Sequence, residues 1–185
     1  MSFMFEELTL PVRRAARAEL DAELQRGAMY YNRSLSAAGR SQFYKLVDDA
    51  LRCADDEVLE RALRDDRLWK CRVNVGKIAR AIAITEFNTW YVRGLCRVLL
   101  DEGTKACQVY RAGFAFEPRD ECLQHDAQIY GVMDIYAGHR RRYWPAPGEP
   151  AALSIPLGTD CHHSIRRLAS AVTKVPARAR DDRFI

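Results

Sequence analysis

Two short segments carry side chains able to hold a soft metal ion: Cys122-Leu-Gln-His125 and Cys161-His162-His163. Together they contain three of the four histidines and two of the six cysteines. Thiolate and imidazole, offered as two close pairs joined by a loop, are the materials of a tetrahedral zinc site. If the pairs meet, they close a loop of about 35 residues whose ends are otherwise costly to hold together. The spacing matches no standard zinc finger, and the competing reading is plain: two small buried thiols and polar surface histidines. The expected ligands are Cys122, His125, Cys161 and His163, with His162 as the alternative to His163. Four protein ligands leave no coordination position for water, so the pattern favours a structural zinc over a catalytic one.

Hydrolytic chemistry is the rival. Asp120, Glu121, Asp126 and Asp160 flank the two pairs, as a metal nuclease of the HNH type would require. Such sites place His and Asn on a compact hairpin-then-helix unit, and no Asn follows position 88. A Cys-His protease dyad built on Cys122 or Cys161 lacks a third group to orient it.

The elements that must position these residues change character near residue 103. Before it the apolar spacing is helical. Leu10, Val12, Ala15, Ala16, Leu20 and Leu24 mark a first helix that Gly27 can stop, and Ser41 is a candidate cap for a second carrying Phe43, Leu46, Val47, Ala50 and Leu51. Asp55 or Asp56 opens a third, and a long fourth runs from about Val75 to Leu100. Beyond Gly103 come short β-prone runs at 107–113, 128–136 and 152–156, with a Pro-rich loop at 145–150. The expected class is α+β: a mainly helical body (1–74), a long central helix with a small irregular β module closed by zinc (75–168), and a basic tail (169–185). A small module with little core of its own is where a metal contributes most.

With 185 residues, 48% of them hydrophobic, the chain can bury a substantial core. It has no apolar run of membrane-spanning length and no signal-peptide pattern, so a reducing cytoplasm is expected, with thiols or metal ligands in place of disulfides. Cys53 and Cys96 fall on apolar helical faces and are expected in the core. The net charge is +4, with 24 Arg against 5 Lys. Arg140, Arg141 and Arg142 form one basic run, and Arg166, Arg167, Arg178 and Arg180 belong to another. These are candidate contacts to DNA or an acidic protein rim, against the simpler reading of a solvated basic face.

The segment from Ile78 through Thr85-Glu86-Phe-Asn88 to Gly94 resembles the helix of the phage Mu F-like head morphogenesis (minor capsid) proteins, where an ART-E-x-N-x5-G pattern opens the last conserved region. Downstream of this helix the order of motifs is similar too: Asp120-Glu-Cys122, then His125-Asp-Ala-Gln128-Ile-Tyr, a Pro-rich loop, and Asp160-Cys161-His162-His163-Ser164-Ile165. The likeness covers about residues 76–168. It departs from the family at Ile84, Ala127, Asp160 and His162, and the family's second cysteine near Cys122 is missing, with His125 placed to substitute. The resemblance implies a virion component and not an enzyme. Such a protein would meet the portal or major capsid protein, and packaged DNA, in the head interior or at the portal vertex, with no membrane and no small-molecule substrate. Around Thr85, Glu86 and Asn88 two arrangements stand open. Glu86 could pair with Arg93 or Arg80 on the surface, or the polar group could turn inward and orient the module's turn.

Overall fold

The computed structural model describes residues 3–71, 73–113, 120–159 and 161–168, apart from the side chain of Glu121. Helix α1 (Leu10–Gln25) starts with Pro11 in its first turn, where a missing N–H costs nothing, and buries Val12, Ala16 and Leu20 at four-residue steps. Helix α2 (Ala37–Cys53) is capped by Ser36, which accepts from the Gly39 N–H at 3.0 Å. The cap therefore lies one turn earlier than Ser41, which sits inside the helix and donates to the Ala38 carbonyl. Helix α3 (Asp56–Leu63) is capped by Asp55, as its sequence indicates.

Helix α4 (Val75–Asp101) is the wall shared by two cores. Ile82, Ala83, Phe87 and Trp90 pack into one with Leu20, Phe43, Leu51, Leu59 and Leu63. Tyr91, Leu95, Cys96 and Leu99 pack into the other with Cys107, Val109, Val132, Ile135, Cys161 and Ile165. An amphipathic stripe suffices to cover one neighbour; α4 has neighbours on most sides, so it is buried well beyond the single face its periodicity suggests.

The module is mixed. Strand β1 (Ala106–Arg111) is the centre of a three-stranded antiparallel sheet, with β2 (Ile129–Gly131) on one side and β3 (His163–Arg167) on the other. Between them lie the short α5 (Asp120–Leu123) and α6 (Val132–Ala137). The β-prone run at 128–136 is thus strand for three residues only. From Val132 it turns helical, because Val132 and Ile135, three apart, must both enter the core. The 152–156 run is not a strand, and the third strand is instead the segment holding His163. Of the two cysteines expected in the core, Cys96 is buried and Cys53 is exposed.

The helical body docks on α4 through Gly94. A Cβ there would lie 2.6 Å from the Val12 carbonyl oxygen and 2.7 Å from the Ala16 nitrogen, so α1 and α4 cross backbone to backbone. Among the described residues, no helix is long and apolar enough to cross a membrane. Gly94→Ala is expected to cost about 1–3 kcal/mol through overpacking. Thermal unfolding should show a midpoint lower by several degrees; an unchanged midpoint would mean the crossing is loose.

Candidate metal centre

Cys122 enters from α5, while Cys161 and His163 flank the start of β3. Their ligand atoms all lie within 4.8 Å of one another. All three residues are buried, at 4%, 0% and 1% exposure. Burial pushes the Cys161 thiol up to about 11, and burial likewise lowers the His163 imidazole, so the resting site is a neutral ring beside a protonated thiol. Both ring nitrogens of His163 are shut off from solvent without a hydrogen-bond partner. A buried imidazole left so is costly, and a cation on one nitrogen removes half of that deficit. The donor set suits a borderline-soft ion.

Of the four ligands expected from sequence, the fold assembles Cys122, Cys161 and His163. It does not bring in His125, whose Nδ1 is 2.7 Å from the Tyr130 hydroxyl. Three-residue spacing keeps the two side chains near one another, but the ring of His125 is taken up by Tyr130, which pairwise spacing cannot reveal. His162 also points away from the cluster, stacking with Phe3 at 6.4 Å.

The cluster is held to α4 by an amide. Asn88 Nδ2 donates to the His163 carbonyl, and Asn88 Oδ1 accepts from Ser164 Oγ, both at 2.7 Å. One turn on, the Tyr91 hydroxyl donates to the Ile165 carbonyl at 3.3 Å. The signal in the sequence is a polar group, Thr85, Glu86, Asn88 and Thr89, set among the apolar residues of a long helix.

Glu86 takes the inward arrangement, and its partner is neither Arg93 nor Arg80. Arg93 binds Glu19 at 2.8 Å, and Arg80 binds Glu60 at 2.8 Å. Glu86, 2% exposed, receives both Nη groups of Arg140 at 2.8 and 2.7 Å. Arg140 adopts φ +54°, a left-handed backbone that costs a non-glycine residue about 1–2 kcal/mol. Its guanidinium also lies over the rings of Tyr30 and Trp90, at 5.0 and 5.4 Å. Beside it His139 Nε2 meets Glu23 Oε2 at 2.9 Å. Burial depresses His139 to about 4, so the ring is neutral and donates.

The basic runs are mostly spent within the fold. Arg140 is buried in that pair. Arg166 binds Glu6 at 2.9 Å, and Arg167 binds Glu7 at 2.6 Å as well as Glu102. Arg141 pairs with Glu149 at 2.6 Å on an exposed loop, and the Arg142 N–H donates to Ser154 Oγ. Arg178 and Arg180 lie outside the described residues. Comparison with protein-family models, with curated proteins and with solved structures finds no match.

Asn88→Ala should cost about 1–3 kcal/mol in urea unfolding, since it strands a buried carbonyl and a buried hydroxyl; a cost near zero would contradict the clamp. His139 supplies a pH dependence. Its folded value is depressed below the ordinary 6.5 to about 4, so the unfolded chain takes up the proton first as pH falls. The contribution of His139 to stability is therefore full above 6.5 and declines toward pH 4. In metal-stripped protein, where His163 adds a slope of the same sign, His139→Gln should reduce the fall of the thermal midpoint across that window, and an unaltered slope would exclude His139 as a source.

Proposed function

We propose that this chain is a phage minor head protein of the Mu F-like kind, acting by contact at the portal or capsid vertex during head assembly, DNA packaging or ejection. In this reading one structural zinc ion clasps its C-terminal module, and the protein is not an enzyme. The observation that carries the proposal is the Asn88 clamp. The Thr85-Glu86-Phe-Asn88 helix and the Cys161-His162-His163-Ser164-Ile165 segment are the two stretches on which the likeness rests most, and they are bonded directly to each other. Segments that must be kept in register for a shared structural purpose would be retained together and in order.

The burial of the cluster supports the structural role over a catalytic one. A hydrolytic metal needs an open position and a path for substrate. Here two cysteines and a histidine are enclosed by apolar neighbours including Val109, Ile155 and Leu157. Partner recognition then falls to surfaces and not to a cleft, and the exposed Arg141 loop is one candidate place for a portal surface or DNA.

Co-expression with the portal and major capsid proteins of the same phage tests the role. The chain should co-sediment with portal assemblies or proheads, and purified protein should leave plasmid DNA intact with Mg²⁺, Mn²⁺, Ni²⁺ or Zn²⁺. Free sedimentation together with metal-dependent DNA cleavage would replace this reading with a nuclease.

A further inference from the structure

The metal cluster supplies three ligands, and among the described residues the cation beside it has no ion-pair partner. Arg111 stands directly opposite His163 in the β1–β3 register, so the two side chains leave the sheet on the same face. Arg111 Nε and Nη2 are shut off from solvent without a hydrogen-bond partner, as are both nitrogens of His163. A guanidinium keeps its proton at any ordinary pH. This half-buried face therefore holds a positive charge that a neighbouring negative group would stabilise.

The charge count selects the missing ligand. A divalent ion on two thiolates and a neutral imidazole has no net charge, and a water in the fourth position leaves it neutral. Arg111 would then stay uncompensated. A carboxylate in that position gives the centre one negative charge, which Arg111 balances.

Asp126 is the carboxylate beside the cluster, outside the three-residue group as its side chain rests. Its Oδ1 lies 3.6 Å from His163 Nε2. It follows Cys122 by four residues on the turn that continues α5, where the Gln124 N–H donates to the Asp120 carbonyl at 3.3 Å and the Asp126 N–H donates to that of Leu123 at 3.2 Å. The Asp126 carboxylate is turned to His163, whereas the ring of His125 is directed at Tyr130. Asp126 is 42% exposed by side chain, so it has freedom to swing toward the cluster.

We propose that the Asp126 carboxylate is the fourth ligand, completing a two-sulfur, one-nitrogen, one-oxygen site, and that Arg111 is the outer partner that balances its charge. This assignment rests on the metal-binding reading and refines it.

The test uses the full chain, stripped of metal and titrated with Co²⁺, whose visible bands report coordination number and whose near-ultraviolet bands report thiolate ligation. Affinity is read by competition with a chromophoric chelator, and circular dichroism of each apo variant confirms folding. The wild-type chain should give a four-coordinate, two-thiolate spectrum, and His125→Ala should preserve it. Asp126→Ala should keep the thiolate bands, weaken the four-coordinate bands, and lose at least the about 10- to 100-fold in affinity typical of removing an outer partner. Arg111→Gln should weaken the wild-type site while changing the Asp126→Ala background little. Wild-type affinity and spectrum in Asp126→Ala, or loss of the four-coordinate bands in His125→Ala instead, would overturn the assignment and leave metal binding intact. Absence of any Co²⁺ complex in the wild-type chain would remove the metal-binding reading and this assignment with it.

Discussion

The amide of Asn88 is the joint on which the second half of the molecule depends. It satisfies a backbone carbonyl and a side-chain hydroxyl on adjacent residues of β3, and those residues begin with His163. Among the described residues β3 is an edge strand that pairs only with β1. A side-chain bond from α4 supplies on its other flank part of what a further strand would have supplied. It fixes the position of His163 relative to α4, and with it the cluster that His163 forms with Cys161 and Cys122.

The same helix carries a second constraint nearby. The buried Glu86 carboxyl group is held by Arg140, and Arg140 accepts a left-handed backbone to reach it. Removing one partner of such a pair costs about 3–5 kcal/mol, because the other is left charged and unpaired. The pair ties α4 to the chain just after α6, while Asn88 ties α4 to β3. Between them, these polar contacts specify how the module sits on the helix in a way that apolar packing alone, which tolerates sliding, does not. Glu6 and Glu7 add a third tie, fastening the N-terminal strap to Arg166 and Arg167.

Much of the helical body is legible in the sequence because helix periodicity, Asp55 and the Gly after α1 are local signals. The departures have local causes too. Ser36 and Ser41 are equally good caps by type, and only the close packing of Gly39 against Leu68 decides between them. The 128–136 run and the β3 segment escape a sequence reading because β propensity reflects burial and neighbours, and neither is visible in a short apolar run. Cys122, Cys161 and His163 are legible from donor chemistry alone. His125 is not assembled with them, because its direction depends on a turn and on Tyr130. Arg111 carries no signal in the sequence, since its importance arises only from its register opposite His163.

The central claim is that Cys122, Cys161 and His163 hold an ion. Zinc K-edge X-ray absorption on the full chain as purified tests it most directly. The expected result is about one zinc per chain with two sulfur neighbours at about 2.3 Å and the remainder nitrogen or oxygen at about 2.0 Å. A zinc shell of nitrogen and oxygen alone, or protein that remains free of metal after incubation with excess Zn²⁺, would contradict it.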